Sequence, residues 1–414
     1  MQEKKQPPKN ILMIRFGALG DIIHAMATAQ FLKSEMPNVT LHWLCHPTYA
    51  EFIRLGFSHC IDHVWSWPKN APFQQTVKLV NTLRELKFDG ILNLHPSVKT
   101  RVFILFLRKQ TVCTYRKEKI RGKGFQQRKI KRAHAIDNFF QPASHLIQAL
   151  NSQQIIAQKI IKPASLNRNQ LKQQALPAAL LSQLEDLKGK SSQIIGIIPG
   201  VGSKRANRAW MPSNYARLIE KLLASPNKST SNKPVSNMPI GPTGIVLFGG
   251  PDEIALSQAI IDTLDNRCRS FLVNTTGQLT LLQTAAAMQY CRLIIGGDTG
   301  PAHLASAAGL PVLGLYGPTS VERTGVSKPL EPSLVLPQNA HPDLKEDDST
   351  ALERLTEHFT PPEALDCWPC ELPHCPYTDI RFMACMKEIS VEAVYQKILI
   401  VLILFSFSFL FSFA

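Results

Sequence analysis

Short apolar runs that close on a glycine turn and open into a helix recur along both halves of the chain, and this alternation limits the fold more than any other feature. Ile11–Phe16 reads as a buried strand. Gly17 and Gly20 follow, then Ile22, Met26, Ala29 and Leu32 at helical spacing until Pro37 stops the helix. Val39–Cys45 and Gly90–Leu94 read as further strands. The pattern restarts at Gln193–Ile198, which ends at Pro199-Gly200, and Ser213–Leu223 reads as a helix with Ser213 as its cap. Gly244–Phe248, Leu293–Ile295 and Val312–Tyr316 are expected strands; Asp252–Leu264, Leu279–Met288 and Pro301–Ala308 are expected helices. Strand, helix and strand in succession predict parallel, right-handed α/β units. At 414 residues the chain exceeds one ordinary core and suits two domains.

Charge is concentrated rather than spread. Arg108–Arg132 holds eleven Lys/Arg against one acid, Glu118, and so carries +10 of the net +15. One local anionic partner is implied, not a chain that is basic throughout. The apolar run Ile11–Ile14 is too short for a signal-peptide core, which predicts a cytoplasmic protein with cysteines as thiols. The last 17 residues, from Ile398, are uncharged and rich in Leu, Ile and Phe. They sit at the lower limit of roughly 17–25 residues for a membrane span. A membrane anchor and an aberrant end to a soluble protein both fit them. Two inserts, Ala224–Pro242 and Ser327–Pro362, read as loops, and a domain boundary is expected between Gln153 and Ser192.

Three constellations carry chemistry. The first is Gly17-Ala-Leu-Gly20-Asp21, between the first strand and the first helix, where an open α/β sheet meets its ligands. Asp21 there is either a helix cap or a base. The turn lacks G-x-G-x-x-G spacing, which speaks against a dinucleotide site. The second is Gly296-Gly297-Asp298-Thr299-Gly300-Pro301-Ala302-His303, which brings backbone N–H groups, a hydroxyl and an imidazole to one helix start, a phosphate-binding arrangement. The plain alternative is a tight β–α turn that needs glycine for steric reasons. The third, Pro199-Gly200-Val-Gly-Ser203-Lys204-Arg205-Ala-Asn-Arg208, adds three cations after a strand and is suited to a diphosphate.

RFGALGD, PGVGSKRANRAWMP and GGDTGPAHLASAAGLPVLGLYGPTSVERTG, in this order and spacing, resemble the ADP-heptose:lipopolysaccharide heptosyltransferases. The likeness extends to the Cys-rich, ACMKEISVE-type C-terminal end and omits the two inserts and the last 17 residues. It implies an inverting, metal-independent glycosyltransferase of GT-B architecture, with two Rossmann-like domains whose parallel sheets face each other across a cleft. An acceptor domain would span 1–170, a donor domain 171–390, and a C-terminal helix with the apolar tail 391–414. By matching positions, Asp21 is the implied catalytic base. Ser203, Arg208, Glu253, Asp298, Thr299, Gly300 and His303 are the implied donor-binding residues, Glu253 on the adenosine ribose. Gly17, Gly20, Arg116, Lys117 and Arg121 would face the acceptor. No cofactor is expected. The implied partners are ADP-heptose and a lipid A-Kdo type acceptor at the inner face of the inner membrane.

The competing functions are a nicotinamide oxidoreductase, a non-catalytic nucleotide-sugar binding protein, and a related transferase for another sugar or acceptor. A nucleic-acid arm would also suit the basic stretch, but only Tyr115 and Phe125 interleave it and no nucleic-acid module is present. Cys367, Cys370, Cys375 and Cys385 contain one zinc-like pair, with the other spacings non-standard; packed thiols are expected there rather than a metal.

Overall fold

The computed structural model describes residues 9–107, 111–115, 133–151, 163–224, 242–326, 356–359, 365, 367–372 and 374–411. Arg116, Lys117 and Arg121, and almost all of both inserts, lie outside the described residues. The chain forms two compact units, the first ending at Gln173 and the second continuing from Gln174.

The first unit is built on five parallel strands: β1 (Asn10–Ile14), β2 (Thr40–Cys45), β3 (His63–Ser66), β4 (Gly90–Asn93) and β5 (Thr111–Thr114). Their order across the sheet is β3-β2-β1-β4-β5. The second unit has six: β6 (Gln193–Ile198), β7 (Thr243–Leu247), β8 (Leu272–Asn274), β9 (Leu293–Gly297), β10 (Val312–Leu315) and β11 (Thr356–Phe359), also all parallel. Their order is β11-β10-β9-β6-β7-β8. Each order reverses direction beside the unit's first strand, between β1 and β4 and between β6 and β9. Ligands of open α/β sheets bind at the carboxyl ends of the strands at such a reversal.

Both faces of the second sheet are covered, so its strands are apolar on both sides. Ile195 and Ile197 enter one core, and Ile194 and Ile198 the other, as alternation along a strand requires. The helix Pro212–Leu223 starts one residue before the expected cap. Met211 is the residue before it and no side chain caps the turn, because Pro212 at the first position needs no N–H partner. The expected helix Asp252–Leu264 is a 3₁₀ turn, Pro251–Glu253, followed by the helix Ile254–Thr263.

The apolar tail begins inside this core. Val391, Val394, Ile398, Val401 and Leu402 lie on one stripe of the helix Val391–Phe411 and pack with Ile219 and Leu222 of the helix Pro212–Leu223. No helix among the described residues is long and apolar enough to cross a membrane. A chain ending at Lys397 loses three buried side chains that one ending at Ile403 keeps. Each such loss typically costs about 2–5 kcal/mol. The shorter chain is therefore expected to unfold at clearly lower urea concentration, or to be insoluble, while the longer one melts near the full chain.

His42 makes the first unit sensitive to acid. It is 3% exposed, its ring stacks on His63 with centroids 4.6 Å apart, and Trp65 Nε1 donates to its Nδ1 at 3.1 Å. A nitrogen that accepts this bond carries no proton. Burial first, and the neighbouring His63 second, lower its pKa to about 4, against the opposing pull of Asp62. The unfolded chain therefore takes up a proton that the folded unit refuses. Stability from this site is complete above about pH 6.5 and is lost as pH falls toward about 4. Urea midpoints measured across this window should fall with pH, and the slope should flatten in His42→Gln.

Candidate active site

The sheet reversal in the second unit holds a buried ion pair. Arg208 closes the 3₁₀ turn Ser203–Arg208 after β6, and Asp298 follows β9. Arg208 Nη1 donates to Asp298 Oδ2 at 2.7 Å, with the two side chains 11% and 7% exposed. His303 Nε2 stands 3.5 Å from Asp298 Oδ1, and Thr324 Oγ1 3.3 Å from Oδ2. Burial alone would raise the Asp298 carboxyl, but the His303 hydrogen bond and the Arg208 charge outweigh it and hold the group below its usual value. Asp298 therefore stays ionised through the neutral range, and its contribution to stability is lost only as pH falls below the usual carboxylate range. Burial also pulls Arg208 below the usual guanidinium value, with Asp298 opposing.

Glycine is required where the strands come closest. A Cβ on Gly296 would lie 2.9 Å from the Cβ of Ile198 on the neighbouring β6. Gly202 has φ +74°, in the left-handed region, which lets the loop after β6 turn back toward β9. Trp210 then pins the end of that loop: it is buried, donates from Nε1 to the Ile389 carbonyl at 2.9 Å and meets Tyr215 edge-on.

Beside the pair lie two donors without partners. Thr299 is the residue before the helix Gly300–Ala307, yet its hydroxyl makes no capping bond. Thr299 Oγ1 and Arg208 Nε are both buried and have no hydrogen-bond partner. The first N–H groups of a helix have no internal acceptor, and an anion there is favoured by the dipole as well. Gly300, Thr299, Arg208 and His303 thus meet at one helix start, with Asp298 behind them as the group that positions the cation and the imidazole.

Glu253 lies on the other side of β6. Its Oε2 accepts from the Gly250 N–H at 2.7 Å and its Oε1 from the Gly202 N–H at 3.2 Å. It ties the loops after β6 and β7 together, a role not expected from the sequence. Ser203 opens the 3₁₀ turn.

The first unit has its own site at its reversal. Asp21 is the third residue of the helix Leu19–Glu35 and forms no cap; the residue before the helix is Ala18. Its carboxylate is paired instead with Arg15 of the turn after β1. Arg15 also donates from Nη1 to the Leu94 carbonyl after β4 at 2.7 Å, and so spans the reversal. Gly17 leaves room for Tyr49, whose Cε2 would lie 3.0 Å from a Cβ there, and Gly20 lies in the helix's first turn. Tyr49 is raised by burial first and by Asp21 second; His95 is lowered by burial and by Arg15, with Asp21 opposing. Both rings are thus within electrostatic reach of Asp21. Arg15, Tyr49, His95 and Thr324 were not singled out from the sequence. Arg15 and Thr324 stand inside the RFGALGD and ERTG motifs and were findable; Tyr49 left no signal.

Comparison with known proteins agrees with this geometry. Residues 240–353 match the model of glycosyltransferase family 9 (heptosyltransferase). That segment is similar to a family 9 glycosyltransferase domain, and the chain is a glycosyltransferase. The lipopolysaccharide core heptosyltransferase OpsX of Haemophilus influenzae is 21% identical over 318 residues, 75% of this chain and 80% of that one. Lipopolysaccharide heptosyltransferase 1 of Campylobacter coli is 21% identical over 353 residues, 80% of this chain and 92% of that one. The structure of E. coli ADP-heptose lps heptosyltransferase II superposes with a TM-score of 0.63 at 16% identity, over 95% of this chain and 98% of that one. The two parallel sheets are those of the GT-B fold, as expected. The family 9 match covers β7 to β10, so it includes Glu253, Asp298, Thr299, Gly300 and His303 and leaves out Arg208.

Removing one partner of a buried pair strands the other charge, which typically costs about 3–5 kcal/mol, whereas replacing both by apolar groups is often near neutral. Asp298→Ala should therefore lower the urea-unfolding free energy of this glycosyltransferase by about that amount. Arg208→Met combined with Asp298→Leu should cost much less than the two single changes added together.

Proposed function

We propose that the chain transfers heptose from ADP-heptose to the inner core of lipopolysaccharide, onto Kdo or a first heptose, with inversion at the anomeric carbon. The observation that carries the donor half is the pair of buried, partnerless donors, Thr299 Oγ1 and Arg208 Nε, at a helix start beside His303. Burying such groups costs free energy unless a ligand satisfies them, and a diphosphate supplies both acceptor oxygens and negative charge. Ser203 belongs to the same loop and faces the phosphates in this proposal. Glu253 spends one backbone contact on each oxygen and keeps acceptor capacity for a ribose hydroxyl.

Asp21 is the proposed base. Only its Oδ2 is engaged by Arg15, and the side chain is 43% exposed, so Oδ1 can meet an acceptor hydroxyl. As the sugar oxygen bonds to the anomeric carbon, its proton passes to Asp21 and the bond to the diphosphate breaks. The negative charge that develops on the leaving ADP falls on Arg208, Thr299, the Gly300 N–H and His303. In this reading the Arg208 guanidinium takes charge that a divalent ion would otherwise take.

The acceptor side is proposed to work at an anionic membrane surface. The helix Val98–Leu105 exposes Val98 (78%), Val102 (47%) and Leu105 (79%), and Phe106 beyond it is 59% exposed. This row leads directly into the stretch with eleven cations, among them Arg116, Lys117 and Arg121. Apolar insertion next to lysine and arginine is how peripheral proteins hold anionic bilayers.

Asp21→Asn should bind ADP as the parent does while turnover falls by roughly 10²–10⁴-fold, the usual weight of a general base. Transfer that survives almost unchanged would leave Asp21 only the partner of Arg15. For the acceptor side, Leu105→Ser with Phe106→Ser should weaken co-sedimentation with vesicles containing phosphatidylglycerol, with unfolding unchanged. Equal sedimentation would remove that face from the proposal.

A further inference from the structure

Four cysteines of the second unit that belong to no part of the transfer site lie around one small cavity. Cys367, Cys370, Cys375 and Cys385 all line a single cavity of about 20 Å³. None of them forms a disulfide. The Met383 N–H donates to Cys375 Sγ at 3.3 Å, and Met383 itself has φ +54°, so the backbone bends to aim an N–H at a sulfur. Such bonds stabilise sulfur in its anionic form. No three donor groups among the described residues already stand at metal-ligand geometry, so a cation would have to draw the sulfurs inward.

The loop that carries these cysteines is joined to the Arg208 turn at one point and to the segment after β10 at two. Asn207, next to Arg208, donates to the Leu372 carbonyl at 3.0 Å, and Asn207 also lines the cavity. The Glu371 N–H donates to the Pro318 carbonyl at 2.7 Å. Arg323 Nε donates to Glu371 Oε1 at 2.6 Å, and both of these charges act on Arg208.

We propose that Cys367, Cys370, Cys375 and Cys385 bind one thiolate-preferring divalent cation, zinc or ferrous iron, which fixes this loop against the Arg208 turn. Four sulfur ligands in tetrahedral arrangement suit these two metals. Binding converts four thiols to thiolates and releases their protons to solvent, with no change of oxidation state. The cation is structural and touches no reacting atom. Its existence does not depend on the transferase reading; only its effect on ADP does.

The test is elemental analysis of the full chain, purified anaerobically with reductant and without chelator. About one equivalent of zinc or iron per chain is expected, the elemental analysis itself telling the two apart. Cys370→Ser and Cys385→Ser should each lose most of it, whereas Cys60→Ser, a buried cysteine of the first unit, should keep it. If the two cluster variants do not fold, organomercurial titration of the parent should release the metal into a chromogenic chelator as its thiols react. Metal at background in the parent overturns the proposal, as does a mass showing the four sulfurs joined as disulfides. Metal-depleted protein that keeps its secondary structure should bind ADP roughly tenfold more weakly, about 1.4 kcal/mol. Metal present without that loss keeps the site and removes its link to the donor turn. Failure of ADP to bind the metal-loaded chain counts against the donor assignment alone.

Discussion

The second unit is organised around a guanidinium and a carboxylate that have been taken out of water together. Arg208 and Asp298 come from loops after β6 and β9, the two strands between which the sheet reverses. A buried pair of this kind contributes little net stability, because desolvation offsets most of the attraction. What it does is fix positions. It sets Arg208 beside a helix start, orients His303 through the second carboxylate oxygen and engages Thr324. The glycines follow from the same requirement, since Gly296 lets β9 approach Ile198 and Gly202 turns the loop that carries Arg208.

The first unit solves a similar problem with similar parts. Arg15 leaves the end of β1, reaches the Leu94 carbonyl across the reversal and holds the Asp21 carboxylate. In both units an arginine at the strand end anchors an aspartate near a helix start. The consequences differ. Asp298 is enclosed and serves its neighbours, whereas Asp21 is partly open and is free to act on a ligand.

Much of this was legible in the residues. Short apolar strands closing on glycine turns gave the central strands of both parallel sheets, and the Gly296–His303 segment announced a helix start suited to phosphate. The edge strands β3, β5, β8 and β11 were missed, β11 lying inside the insert Ser327–Pro362 that reads as a loop. What could not be read were contacts between distant segments. Nothing in the sequence says that Asp298 faces Arg208 rather than a ligand, or that Glu253 spends both oxygens on backbone N–H groups of two different loops. Capping was misjudged at Ser213 because a proline at a helix start displaces the need for a side-chain acceptor. The apolar tail looked like an anchor or an aberrant end because hydropathy alone cannot distinguish lipid from protein. The spacing of Val391, Val394, Ile398, Val401 and Leu402 places the start of that run on a helix stripe packed on a neighbouring helix.

The central claim is that the partnerless donors around Arg208 belong to a diphosphate. Thr299→Val tests it most directly, because Thr299 Oγ1 has no partner in the protein and Val keeps its shape. The account predicts an unchanged or slightly higher melting temperature together with ADP binding weakened by roughly 10–100-fold in calorimetry, the usual worth of a hydrogen bond to a charged group. Equal ADP affinity in parent and variant, or no ADP binding by the parent, would contradict it.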